Sequence, residues 1–280
     1  MKIVIPCFNY LLNEELIFDG GSIYLNNLKM AFLEIGQDCE LVPLDWKGKA
    51  DLMIIQSEWV GRDSFRQFLG KKIVIAGHFI DSVYPDPKEI KADHFITTWI
   101  GECTECYPDA VFIPHGYNNL HPKKERKNFN KVVWCGNKYP LRDEGWLEGM
   151  DIDDVKIHPR EIDSIYEGNV VGNVHGKFQL GEISNEPSRI ADKLGWMINE
   201  RFWTVIGAGG ILIQQYHPQI LTFFEEDEII MAKTKEEFQE RCKYYLEHRE
   251  EGIEFYKRAR KKILDNHTYV HRANKILEIL

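Results

Sequence analysis

Four side chains able to take a proton stand where short apolar runs end. His78 and Asp81 follow Lys72–Ala76, Glu58 follows Leu52–Gln56, and Asp19 immediately precedes Gly20-Gly21. Any of them could act as a base toward a hydroxyl group. The imidazole, which titrates near neutrality, is the best matched to that work. The alternative for a single histidine at a strand end is a hydrogen-bonded structural role. Gly20 and Gly21 would present backbone N–H groups at the carboxyl end of the first strand, or form a plain strand-to-helix turn.

A second set suits anions. Lys138 and Arg142 follow the run Lys131–Cys135 in Gly136-Asn137-Lys138-Tyr139-Pro140-Leu141-Arg142. The arginine offers a forked donor for phosphate oxygens and the lysine a compact charge; otherwise both are surface cations. Lys177 is a weaker third. Gly207, Gly209 and Gly210 would let the backbone approach a ligand closely, or let a helix pack tightly on a strand. Cys103 and Cys106 form a single C-x-x-C with no second ligand pair, so ordinary reduced thiols are expected.

The elements that must position these residues alternate. Lys2–Cys7, Glu40–Leu44, Leu52–Gln56, Lys72–Ala76, His94–Thr98 and Val111–Pro114 read as buried strands. Ser22–Ile35 carries a helical stripe of Ile23, Leu25, Leu28, Phe32 and Ile35, with Ser22 as its N-cap. This alternation predicts a parallel sheet with helices on both faces. His121–Asn128 reads as a polar linker, and a second α/β domain begins at Lys131. That domain is expected to hold a helix from about Ile190 to Ile206 and a strand over Gly210–Gln214. A long helix should follow, opened by a Thr234/Glu237 capping box, with Phe238, Cys242, Tyr245, Leu246 and Ile253 on one buried stripe. Asn266-His267 breaks it before a last helix, Tyr269–Leu280.

Composition narrows the classes. The chain has 280 residues, 44% hydrophobic and 28% charged, which excludes wholesale disorder. A net charge of −9 argues against a surface that grips nucleic acid everywhere. No apolar run reaches the roughly 18 residues of a membrane span, and Met1-Lys2 leads into Ile3-Val4-Ile5 without a signal-peptide pattern. A cytoplasmic location is the expectation.

Residues 201–213, Arg201-Phe202-Trp203-Thr204-Val205-Ile206-Gly207-Ala208-Gly209-Gly210-Ile211-Leu212-Ile213, resemble the donor-domain segment of GT-B glycosyltransferases. Pro218 to Phe224, Thr234 to Phe238, Tyr245 to His248 and His267 to Arg272 follow in the order and spacing of a group-1-like C-terminal domain. That domain is of the kind found in CgeB-like and phage-type enzymes.

The resemblance implies two Rossmann-like parallel-sheet α/β domains facing a cleft. Residues 1–124 would form the acceptor-side domain and 125–280 the donor domain, with the last helix packing back on the first. It implies metal-independent transfer of a sugar from a nucleotide-sugar donor, UDP-sugar foremost, to an unidentified hydroxyl acceptor. Donor contacts are expected from Asn137, Lys138, Arg142, Arg201, Thr204, Gly209, Gly210 and Gln215, with Gln214 and Tyr216 beside them. Gly20 and Gly21 would face the donor from the first domain. Catalytic candidates remain His78, Asp19, Asp81 and Glu58, and no metal ligands are expected. Thr204 departs from the family pattern, which has an acid there; a hydroxyl lacks the charge-assisted strength of a carboxylate. His115, His267, Thr268, Tyr269 and Arg272 are expected to be structural or, for His115, donor-contacting. Alternatives are a phage-type transferase acting on hydroxymethylpyrimidine in DNA, a non-catalytic nucleotide- or sugar-binding protein, and a sugar-nucleotide epimerase. For DNA, the basic Lys123–Lys131 segment with Trp46, Trp59 and Trp99 would be the place of contact.

Overall fold

The computed structural model describes residues 1–7, 20–56, 62–76, 91–98, 109–121, 124–135, 145–155, 161–174 and 198–280. Among these residues the chain divides into two compact units, one of residues 1–115 and 269–280, the other of 116–174 and 198–268.

The first unit is built on a six-stranded, wholly parallel sheet. Its strands are β1 (Lys2–Cys7), β2 (Asp38–Pro43), β3 (Leu52–Gln56), β4 (Lys71–Ala76), β5 (His94–Thr97) and β6 (Val111–Phe112), ordered β2-β1-β3-β4-β5-β6. All five residues of β3 are buried, because a central parallel strand is covered on both faces. The register runs from Lys2 opposite Asp38 to Cys7 opposite Pro43, and from Leu52 opposite Lys71 to Gln56 opposite Ile75. Helix α1 (Gly20–Glu34) buries Tyr24, Leu25, Leu28 and Phe32 in this core. A short helix, α2 (Asp63–Gln67), buries Phe65. Each large apolar side chain removed from water in this way contributes about 1.5–3 kcal/mol. Trp46 packs against the same core beside Phe68. The structure begins α1 at Gly20, so Gly20 and Gly21 are helical residues and Ser22, expected as the cap, lies inside the first turn.

The second unit holds a five-stranded parallel sheet: β7 (Val132–Trp134), β8 (Ile152–Asp154), β9 (Val170–Asn173), β10 (Ile211–Gln215) and β11 (Met231–Ala232) in the order β11-β10-β9-β7-β8. Its helices are α3 (Ile162–Tyr166), α4 (Glu200–Ala208), α5 (Lys235–Glu247) and α6 (Arg249–Asn266). The expected helix from about Ile190 does not run through to Ile206. Residues 190–197 lie outside the described residues; Asn199 has extended backbone and its side chain accepts from Phe202 N, so α4 starts at Glu200. The expected long helix after Thr234 is two helices, interrupted at His248, whose N–H bonds Tyr244 O. Its capping box is also half made. Thr234 accepts from Glu237 N, but the Glu237 carboxylate takes the N–H of Lys233, one residue before the cap.

The final helix, α7 (Tyr269–Glu278), belongs to the first unit. It packs on α1 and gives Tyr269, Ala273 and Ile276 to that core. Buried Arg272 donates from Nε and Nη2 to the His115 carbonyl, 3.1 and 3.0 Å away. The His115 ring meets Tyr24 edge-on at 4.9 Å. This geometry gives His115, Tyr269 and Arg272 a structural part within the first unit.

Candidate functional site

In a parallel sheet the strand carboxyl ends collect loops and helix N-termini on one edge, where ligands of open α/β folds bind. At that edge of the second unit, Trp134 ends β7, Asn173 ends β9, Gln214 and Gln215 end β10, and Asn199 and Arg201 open α4. Their side chains form one network. Asn173 Oδ1 accepts from Asn199 Nδ2 and Arg201 Nη1, each at 3.0 Å. Asn173 Nδ2 donates to Gln214 Oε1 at 2.7 Å and to Asn199 Oδ1 at 3.1 Å. Gln214 Nε2 donates to the Gln215 carbonyl.

Arg201 brings a cation to this edge. It is half-buried, and its guanidinium lies 4.9 Å from the centre of the Trp134 ring. Among the described residues it has no carboxylate partner; an amide oxygen and an aromatic face hold it. Beneath it are the buried side chains of Cys135 and Tyr166. Burial pushes the Cys135 thiol up to about 12, against the pull of Arg201. Burial, then Cys135, raises the Tyr166 hydroxyl, with Arg201 opposing. Both stay protonated, so the groups beneath Arg201 are neutral. A guanidinium at a helix N-terminus with donors unused by carboxylates can receive an anion.

The other sequence candidates fall differently. His78, Asp19, Asp81, Glu58, Asn137, Lys138, Arg142 and Lys177 lie outside the described residues, as do Cys103, Cys106, Trp59, Trp99 and Lys123. Gly209 and Gly210 are brought to the opposite edge of the sheet, a correction to the donor contact expected of them. Gly209 ends α4 in the left-handed conformation, with φ +88°, and its carbonyl accepts from Gly168 N ahead of β9. A side chain on Gly210 would come within 2.7 Å of the Tyr166 carbonyl. Their smallness serves the turn from α4 into β10. Thr204 is also corrected. It is 5% exposed, and its hydroxyl donates to the Glu200 carbonyl one turn back at 2.7 Å, which engages it inside the helix. Gln214, fully buried, serves the network and is closed to a ligand's hydroxyls. Gln215 is half-buried at the strand end, and the Lys233 ammonium stands 4.9 Å from the Tyr216 ring centre beside it.

Sequence reasoning singled out Arg201 and passed over Asn173, Asn199 and Trp134, which surround it. The one available signal for Asn173 was an amide closing the otherwise apolar run Val170-Val171-Gly172.

Lys124 and Lys127 pair with Glu161 at 3.4 and 3.5 Å, while Arg126 donates to the Gly168 carbonyl. Among the described residues no group of three or more His, Cys, Asp or Glu side chains could hold a metal ion. No described helix is long and apolar enough to cross a membrane.

Two wholly parallel sheets with helices, each in its own unit, define the GT-B class of fold, and solved structures agree. A mutant of T4 phage BGT in complex with UDP-glucose superposes with a TM-score of 0.62 at 12% identity, over 100% of this chain and 99% of that one. AviGT4, a glycosyltransferase involved in avilamycin A biosynthesis, gives 0.60 at 11% identity over 100% and 96%. An alpha-glucosyltransferase in complex with UDP and a 13-mer DNA gives 0.58 at 14% identity over 100% and 99%. No curated protein sequence matches the chain. The family described as Glycosyl transferase-like matches residues 124–278, more than half of the sequence. The chain belongs to that family, and it is a glycosyltransferase of the GT-B fold.

Proposed function

We propose that this glycosyltransferase moves a hexose from a UDP-sugar to a hydroxyl acceptor, with the donor diphosphate received beside Arg201. The observation that carries this reading is the Arg201 guanidinium, charged and without a described carboxylate, at the N-terminus of α4. When the bond from the anomeric carbon to the diphosphate breaks, its electron pair leaves with the phosphate oxygen. Donors already aimed at that oxygen stabilise the charge without reorganising. The helix N-terminus and the guanidinium act with the same sign.

Asn137, Lys138, Arg142, Gln215, Gly20 and Gly21 are retained as further donor contacts. The base that takes the acceptor proton is sought among His78, Asp19, Asp81 and Glu58. Transfer is read as metal-independent and the protein as cytoplasmic. The test is UDP binding by titration calorimetry together with slow donor hydrolysis, with and without EDTA. Arg201→Ala should weaken UDP about 10- to 100-fold, the loss of a charged hydrogen bond. Failure of the wild type to bind UDP or any UDP-sugar overturns the donor assignment. Restoration of an EDTA-treated sample only by Mn2+, an ion solved with UDP on T4 phage BGT, overturns metal independence.

A second acceptor reading is a modified base in DNA. It is favoured by the alpha-glucosyltransferases of the same fold solved with UDP and 13-mer DNA, one containing an HMU base. Transfer to hydroxymethylated DNA that weakens steeply with salt, and again when Lys123, Lys124 and Arg126 are neutralised, would support it. Salt-insensitive transfer would count against it.

A further inference from the structure

We infer that Asn173 is a positioning residue, set to hold Arg201 for the phosphates of the donor. The inference rests on the UDP-sugar reading above and assigns a part of the chain that the reading leaves silent. Asn173 is fully buried, and both ends of its amide are committed. Its oxygen accepts from Arg201 and Asn199, and its nitrogen donates to Gln214 and Asn199. Gln214 is in turn tied to the backbone of Gln215. The amide can therefore neither rotate nor flip without breaking several bonds at once, and its oxygen presents one fixed acceptor to the guanidinium.

The chemistry of that acceptor matters as much as its place. A carboxylate there would also hold Arg201, but as an ion pair that cancels its charge and desolvates both partners. A neutral amide orients the fork and leaves the charge available. The Trp134 ring does the same from another side, since an aromatic face attracts a cation without neutralising it. Asn199 joins the device to the helix, capping Phe202 N with the oxygen that also receives Asn173 Nδ2. One amide cluster thus fixes the guanidinium and the first turn of α4 relative to each other. The two elements that would face the phosphates are held as one piece before any ligand arrives.

The discriminating measurement compares UDP with uridine, which lacks the phosphates, on the full chain by titration calorimetry. Wild type should prefer UDP. Asn173→Asp should reduce that preference about tenfold or more while leaving uridine affinity within about twofold. Asn199→Ser keeps an N-cap oxygen but removes the second amide; it should give a smaller loss of the same kind and guards against misfolding of the first variant. Thermal melts accompany both. An unchanged UDP-over-uridine preference in folded variants overturns the positioning role, as does equal weakening of both ligands, the mark of a merely structural residue. A wild type with no preference for UDP instead sinks the donor reading itself.

Discussion

The ring of Tyr117 fills the space that a side chain on Gly207 would need. A Cβ built on Gly207 would lie 2.7 Å from Tyr117 Cδ1 and 2.8 Å from its Cβ. The tyrosine is fixed in turn, since its hydroxyl donates to both oxygens of Asp163 at 2.9 Å and its N–H to the His267 carbonyl. Gly207→Ala should therefore destabilise the second unit by about 1–3 kcal/mol through overpacking. Chemical denaturation checks it, and combining it with Tyr117→Ala should cost less than the two changes summed.

His217 follows β10 and is 2% exposed. Burial lowers its pKa to about 4. The unfolded chain, near 6.5, binds the proton first, so stability should be full above about pH 7 and decline as pH falls from 6.5 toward 4. The loss at the lower end is ~3 kcal/mol from this group. A His217→Asn variant should flatten the profile over that interval. An unchanged slope would assign the loss to other groups.

Cys7, Cys39, Cys135 and Cys242 are buried free thiols. Burial pushes the first three up to about 12 and raises Cys242 as well. The thiolate is the reactive form, so all four should resist alkylation at pH 8 in the native protein and react after denaturation. Peptide mapping by mass spectrometry reads this directly. Rapid native labelling at Cys135 would contradict its position under Arg201.

Ile276 is fully buried in the first unit's core. Ile276→Ala should cost about 2–5 kcal/mol. The effect should fall on the amides of β1, β3 and β4 in hydrogen exchange and leave β9 and β10 unchanged, although residue 276 is far from those first strands in sequence.

Strands were the most legible elements. Lys2–Cys7 and Leu52–Gln56 have the expected bounds, because burial on both faces leaves an uninterrupted apolar run. The break at His248 was hidden: its ring stacks on Tyr244 at 4.2 Å, a contact with no trace in the apolar period. Asn199 was hidden for a related reason. Asparagine is tolerated within helices and favoured as a cap, and the choice is made here by Asn173, which lies 26 positions earlier. The glycines of residues 207–210 were conspicuous in sequence, yet a glycine that admits a ligand reads the same as one that admits a tyrosine ring. Arg201 was singled out through the resemblance; the neutral residues that hold it carry no charge or spacing to mark them.

The return of α7 to the first unit has a consequence during synthesis. Tyr269, Ala273 and Ile276 complete the core laid down by β1 and α1, but residues 116 through 268 are translated in between. At ~5–20 residues per second, that interval is roughly 8–30 s. Throughout it, the face of α1 that α7 will cover stands open on the ribosome, and by its end the second unit has all its own described strands and helices. The part of this protein translated first is therefore the part finished last.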